Sequence, residues 1–221
     1  MDTNKLVQCI KNDTSDIKTS QRSVEITKIA NKYYKNTPEP DDLLLEVCEQ
    51  LIASNNMDLF SIATLWIKKR KSIINIKNFY IIEKWLYKYI HHWGTCDQFC
   101  YRILNPFVDN YPQLFENVLL WAESSQTYVR RAAPVSLIRC GNGIRVKYDI
   151  DKIIVIIEKL KNDTELHIQK SIGWLIKYTY QAYPEQVIYY LRENVNNLSR
   201  ITYRYALEKV PKEIRQEMMK L

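Results

Sequence analysis

The stretch HIQKSIGWLIKYTY, residues 167–180, shows most directly how this chain folds. On a helical wheel, one apolar stripe is formed by Ile168, Ile172, Leu175, Ile176 and Thr179. Trp174 lies on the far side of the same helix, together with Lys170 and Lys177. The pattern predicts an amphipathic helix that presents a large aromatic side chain to something other than its own core stripe.

Composition extends the helical interpretation to the whole chain. Gly occurs four times and Pro seven times in 221 residues, which is too few for an all-β fold of short strands and tight turns. Helices are predicted at about 21–36, 41–54, 57–70, 76–91, 96–108, 111–122, 127–140, 150–161, 164–181, 184–193 and 199–209. Short helices joined by short turns favour a single all-α domain over residues 1–221, built as a curved superhelical stack of antiparallel helix pairs.

Charge is distributed unevenly along the chain. The net charge of +7 arises from −3 in residues 1–60 and +10 in residues 61–221. A basic surface favours an anionic partner such as nucleic acid, and a merely solvated helical surface is the alternative. Five widely spaced cysteines and the absence of a leader-like start indicate reduced thiols in a cytoplasmic or nuclear compartment. No apolar stretch is long enough to span a bilayer.

The run HHWGTCDQF, residues 91–99, places Trp93 four residues before Asp97. On a continuous helix the two side chains share a face, although Gly94 between them weakens that expectation. An indole beside a carboxylate suits a cation, because the ring face and the negative charge both attract it. The alternative is a packed Trp with Asp97 as a helix cap.

The run SSQTYVRRAAPV, residues 124–135, contains Arg131. On a helical wheel one face is formed by Val129, Ala133, Leu137 and Cys140. Arg131 projects about 200° from Val129 at 100° per residue, so it is expected to point away from the core stripe. A guanidinium in that position is suited to a phosphate.

Two other patterns suggest different chemistry. His92, Cys96 and Cys100 are spaced i, i+4, i+8 and would be candidate metal ligands if they shared a helix face, but a fourth ligand and the compact C-x2-C spacing of zinc sites are missing. Sixteen tyrosines are candidate stacking platforms for single-stranded nucleic acid. Most recur beside aliphatic residues at helical spacing, which favours packing between helices.

These runs resemble the AlkD-type DNA alkylation repair glycosylases, a family of HEAT-like helical repeat proteins. The resemblance covers about residues 75–210, and its strongest stretches are WGTCD, NYPQLFENVLLWAESSQTYVRRAA and IQKSIGWLIKYTYQAYPEQV. It implies that Trp93, Asp97 and Trp174 lie against the deoxyribose of a damaged nucleotide and that Arg131 contacts a DNA phosphate. Residues 1–60 are the least family-like part, and there DIKTSQRSVEITKI places Lys18 and Thr19 at positions that touch the DNA backbone.

The resemblance implies a monofunctional DNA glycosylase that hydrolyses the N-glycosidic bond of cationic N3- or N7-alkylpurines in duplex DNA, without base flipping. The expected catalytic residues are Asp97, Trp93 and Trp174, and the expected DNA-binding residues are Arg131, Lys170, Lys18 and Thr19. No metal or organic cofactor is expected, since an alkylated purine already carries the charge that makes it a good leaving group. The partner is duplex DNA containing alkylated purines, the protein is expected to act as a monomer, and the location is the prokaryotic cytoplasm with its nucleoid or the eukaryotic nucleus. The alternative is a non-enzymatic HEAT-like module that binds distorted DNA or a protein partner.

Overall fold

The computed structural model describes residues 3–15, 17 and 20–221 of the chain. Every regular element in these residues is helical, so the predicted all-α class is confirmed. The chain divides into two compact units, residues 1–103 and residues 104–221. Lys18 and Thr19, the predicted N-terminal backbone contacts, lie outside the described residues.

Six α-helices occupy the described part of the first unit: α1 (Thr3–Ser15), α2 (Arg22–Tyr34), α3 (Asp41–Ala53), α4 (Met57–Lys69), α5 (Ile76–Tyr89) and α6 (Trp93–Phe99). The second unit, described throughout, contains α7 (Asn105–Asn110), α8 (Phe115–Ala122), α9 (Thr127–Ser136), α10 (Ile150–Leu160), α11 (Leu166–Thr179), α12 (Pro184–Glu193), α13 (Arg200–Ala206) and α14 (Lys212–Met218). A π-helical turn, Cys100–Leu104, follows α6. No helix in the described residues is long and apolar enough to cross a membrane.

Helix α4 organises the packing of the first unit and provides the support for α6. Its Trp66 side chain is almost fully buried, and the indole nitrogen Nε1 donates a hydrogen bond to the Ala30 carbonyl of α2 at 2.8 Å. Asn56 caps the start of α4, because its side-chain oxygen accepts from the backbone N–H groups of Asp58 and Leu59. The Phe60 ring of α4 lies 6.4 Å from the Phe99 ring of α6. Apolar contact therefore holds α6 against α4.

In the second unit, packing follows the apolar periodicity of each helix. Helix α10 buries Ile153, Ile156, Ile157 and Leu160, the i, i+3, i+4, i+7 pattern of one helix face. Helix α9 packs against α8, α10 and α11. Helix α11 also packs against α13, with which it forms the most extensive helix contact in the unit. Helices α9 and α11, which carry predicted site residues, thus belong to the centre of the second unit.

The predicted boundaries of α2 to α5 and of α10 to α12 agree with the structure to within two residues at each end. Other predicted boundaries were wrong. The helix expected at 96–108 begins at Trp93 and is interrupted by the π-helical turn, and the helix expected to reach residue 140 ends at Ser136. Helices α1 and α14 were not predicted, and α14 has only Met218 buried, so its apolar stripe is too sparse to recognise.

Candidate functional site

His92 determines where α6 begins. Its backbone is extended, and its imidazole Nδ1 accepts a hydrogen bond of 3.1 Å from the Gly94 N–H, so the side chain caps the helix. A Cβ atom on Gly94 would lie 3.2 Å from that same Nδ1. Glycine at this position leaves room for the capping ring, and the helix continues through it. Trp93 is therefore the first residue of the same helix that carries Asp97.

Trp93 and Asp97 occupy one face of α6, as the four-residue spacing predicts for an unbroken helix. The Trp93 side chain is 47% exposed, which is high for an indole, and its ring centroid lies 5.2 Å from that of His92. The Asp97 side chain is partly exposed. The two residues therefore present an aromatic face and a carboxylate on the accessible side of a short helix.

The opposite face of α6 is fixed in the core of the first unit. Cys96 and Phe99 are fully buried. Just beyond the helix, the guanidinium of Arg102 donates from Nη1 to the Ser61 carbonyl at 3.1 Å and to the Thr64 hydroxyl at 2.9 Å, which ties the π-helical turn to α4. These contacts hold the orientation of α6, and with it the direction in which Trp93 and Asp97 point.

The alternative of a metal site formed by His92, Cys96 and Cys100 gains no support. Both cysteines are buried, whereas His92 is exposed and already accepts the capping hydrogen bond through Nδ1. Among the described residues, no group of three or more His, Cys, Asp or Glu side chains is arranged to hold a metal ion.

In the second unit, α11 matches the helical wheel drawn from its sequence. The predicted stripe is buried throughout: Ile168, Ile172, Leu175, Ile176 and Thr179. Trp174 is only half-buried on the other side, as predicted. Its ring centroid lies 6.5 Å from that of Tyr178, and the ammonium of Lys177 lies 5.9 Å from the Trp174 ring centroid. The indole thus belongs to a cluster of two rings and one cation on α11.

Gly173, immediately before Trp174, allows α11 and α13 to approach closely. A Cβ atom built there would lie 2.5 Å from the Tyr205 Cβ and 2.6 Å from the Thr202 carbonyl oxygen, both distances shorter than van der Waals contact. Thr202 also donates from its hydroxyl to the Gln169 carbonyl at 2.9 Å. The close crossing fixes α11 against its neighbour and so sets the position from which Trp174 projects.

Arg131 requires a correction. We predicted that it points away from the core, but its side chain is buried, with 5% exposed. The guanidinium Nη1 donates a hydrogen bond to the His167 carbonyl in the first turn of α11. The helical wheel assumed one covered face, whereas α9 packs against α8, α10 and α11 and buries residues all round its circumference. The predicted contact with a phosphate stays a prediction.

The neighbouring Arg130 was not singled out in the sequence, yet it has the more clearly structural role. Its Nε donates to the Asp163 carboxylate at 2.6 Å, and its Nη1 donates to the carbonyls of Ser124 at 2.9 Å and Ser125 at 3.0 Å. These bonds join the start of α9 to the turn between α10 and α11. Arg130 is therefore a structural residue that pairs with the Asp163 carboxylate.

Comparison with known proteins identifies the family of the chain. A model of the DNA alkylation repair enzyme family matches residues 20–210. The chain is also similar in structure to a protein from Enterococcus faecalis described as a predicted DNA alkylation repair enzyme, with a TM-score of 0.68 and 17% sequence identity over 86% of each chain. At that identity the similarity establishes a shared helical fold. No curated protein sequence matches the chain significantly. Because the family model covers most of the chain, including both Trp93 and Trp174, the chain belongs to the DNA alkylation repair enzyme family.

Proposed function

We propose that the protein is a monofunctional DNA glycosylase that removes cationic N3- and N7-alkylpurines from duplex DNA. The observation that carries the proposal is the arrangement on α6, where a tryptophan that is 47% exposed and a carboxylate share one accessible helix face. Membership of a DNA alkylation repair family supports DNA as the partner. The partly exposed Trp174 supplies a second aromatic ring of the kind that the resemblance assigns to the damaged nucleotide.

The proposed reaction needs no general acid at the leaving group. The C1′–N bond of an alkylated purine breaks with its electron pair moving to the cationic ring, so that the base leaves neutral and the sugar becomes oxocarbenium-like. Asp97 stabilises this cation by direct charge, and the indole faces of Trp93 and Trp174 stabilise it through their quadrupoles. A water molecule oriented by Asp97 then attacks C1′ and gives up a proton, which leaves an abasic site.

Release of free base is the experiment that tests the proposal. Incubation of the protein with methylated duplex DNA is expected to release N7-methylguanine and N3-methyladenine, measured by chromatography, with one abasic site formed for each base. The strand should stay intact until it is treated with alkali, because the proposed enzyme has no lyase step. Unmethylated duplex of the same sequence is the control. Binding without any release would instead support the non-enzymatic DNA-binding module.

Arg131→Ala is expected to weaken binding of damaged and undamaged duplex alike. The logarithm of the DNA association constant K falls linearly with the logarithm of the salt concentration. If Arg131 contacts one phosphate, the slope of this line should become shallower by about 0.9 in the variant. The substitution should also lower the free energy of unfolding by about 1.5–3 kcal/mol, the usual contribution of a hydrogen bond to a charged group, because the bond to the His167 carbonyl is lost. Fluorescence anisotropy across a salt series, at a temperature where the variant is folded, measures the slope.

Arg130→Ala is the matched control for Arg131→Ala. It removes the same charge one residue earlier, from a guanidinium that Asp163 and two backbone carbonyls hold within the unit. Arg130→Ala should lower the stability of the fold and leave the slope of log K against log salt concentration nearly unchanged. Equal slopes for wild type and Arg131→Ala would make Arg131 a purely structural residue, and would remove it from the proposed DNA contact.

A further inference from the structure

A cleft of about 470 Å³ opens in the second unit where α11, α13 and α14 meet. Three cationic side chains line it, one from each helix: Lys170, Arg204 and Arg215. The aromatic ring of Tyr205 and the apolar side chains of Ile201 and Met219 also line it. The cleft therefore combines concentrated positive charge with apolar surface.

The three cations lack carboxylate partners within the described structure. No ion pair or side-chain hydrogen bond is formed by Lys170, Arg204 or Arg215 with any described residue. The acidic residue of the cleft, Glu208, is held by Lys177 at 2.7 Å. Many other basic side chains of the second unit are paired, for example Arg130 with Asp163 and Arg139 with Asp109. The charge of the cleft is thus available to an external anion.

The position of the cleft relative to Trp174 indicates which anion. Lys170 precedes Trp174 by four residues on α11, so the two side chains lie on the same face, about 6 Å apart along the helix axis. At that separation the two side chains can contact the same short stretch of one DNA strand. A strand whose sugar lies at Trp174 would carry its neighbouring phosphates towards Lys170 and then towards Arg204 and Arg215.

The side chains of the cleft suit a phosphodiester. A guanidinium binds two phosphate oxygens with parallel hydrogen bonds, and an ammonium contributes a point charge. Ile201, Tyr205 and Met219 offer apolar contact to the deoxyribose between phosphates. Arg215 and Met219 lie after residue 210, where the match to the family model ends, so the family match does not account for this wall of the cleft.

We propose that this cleft binds the phosphodiester backbone of duplex DNA beside the damaged nucleotide, with Lys170, Arg204 and Arg215 as the phosphate contacts. The proposal rests on the proposed function for its choice of DNA as the anion. The site supplies affinity that does not depend on sequence or damage, because phosphate contacts position a duplex and read neither base nor lesion.

The test measures binding of undamaged duplex by fluorescence anisotropy over a range of salt concentrations, for wild type, Arg204→Gln and Arg215→Gln. For each variant, the slope of log K against log salt concentration is expected to become shallower by about 0.9. The affinity for DNA near 0.1 M salt should fall about eightfold. Arg204 and Arg215 are exposed, so the melting temperatures should not change. Lys209→Gln is the control, because Lys209 is an exposed cation of the same unit that does not line the cleft. Its slope should match that of wild type.

Unchanged slopes for both arginine variants would overturn the proposal, even if wild-type protein releases methylated bases. Shallower slopes for the two variants, together with no base release by the wild type, would support DNA binding by the cleft and contradict the glycosylase. Failure of the cleft proposal and failure of the proposed function are therefore distinguishable. A final comparison uses inorganic phosphate and chloride at equal ionic strength. If phosphate raises the melting temperature of wild type but not of the variants, while the DNA slopes stay equal, the cleft binds a small free anion and the proposal is wrong.

Discussion

Asp97→Asn is expected to slow the release of N3-methyladenine and N7-methylguanine by about two to three orders of magnitude, the effect of losing one preorganised electrostatic group. The substitution keeps the size and shape of the side chain but removes its charge. If the carboxylate stabilises an oxocarbenium-like sugar, its loss raises the barrier to bond cleavage while leaving DNA affinity nearly unchanged. Single-turnover release with the enzyme in excess measures the chemical step directly.

Two comparisons make the Asp97→Asn result specific. Asp58→Asn removes a carboxylate of the same unit that pairs with Arg22, and it should leave the rate within about twofold of wild type because that pair only joins α4 to α2. Trp174→Ala should slow release by about tenfold, since a cation–π contact contributes about 0.5–2 kcal/mol. An Asp97→Asn enzyme that works at the wild-type rate would move the chemistry away from α6.

The sequence predicted which residues of a helix form its buried apolar stripe. Helix α11 shows this clearly, because each residue of its apolar stripe is buried and Trp174 is not. The same reasoning failed for Arg131, since α9 has neighbours on several sides and a helical wheel contains no information on how many neighbours a helix has. Burial in the centre of a helical stack is a tertiary property, and local periodicity does not encode it.

The start of α6 was missed for a different reason. His92 is an unusual capping residue, because Ser, Thr, Asp and Asn are the common choices at that position, so the sequence offered no familiar signal. The π-helical turn at Cys100–Leu104 is equally hard to predict, since it preserves an apolar pattern that fits an ordinary helix. Trp93 and Asp97 could be chosen from their chemistry alone, but the unbroken helix that aligns them depends on this local geometry.

Gly173 did carry a signal that can be read from sequence. A glycine inside a helical pattern lowers helix stability by about 1 kcal/mol relative to alanine, so its presence suggests that another element lies too close for a side chain. The structure supplies that element, α13, whose Thr202 carbonyl and Tyr205 Cβ occupy the space that a methyl group would fill. What the sequence does not reveal is which helix makes the approach.

Gly173→Ala is therefore expected to destabilise the protein, by about 2 kcal/mol, although alanine is the better helix former. The gain in helix propensity is about 1 kcal/mol, whereas overpacking costs about 1–3 kcal/mol and sometimes more. The cost should lie at the upper end here, because the atoms that a methyl group would meet, at 2.5 and 2.6 Å, are a Cβ and a backbone carbonyl that move only with α13 as a whole. Such a movement would also strain the hydrogen bond from Thr202 to the Gln169 carbonyl.

Urea unfolding followed by circular dichroism measures the effect, with Gly94→Ala as the control. At Gly94 the atoms nearest a methyl group belong to the His92 ring, at 3.2 Å or more, and a side chain of one residue adjusts more easily than a packed helix. The unfolding midpoint of Gly94→Ala should therefore fall by much less than that of Gly173→Ala. A Gly173→Ala protein as stable as wild type would show that α11 and α13 separate without cost, and that the close crossing does not hold Trp174 in place.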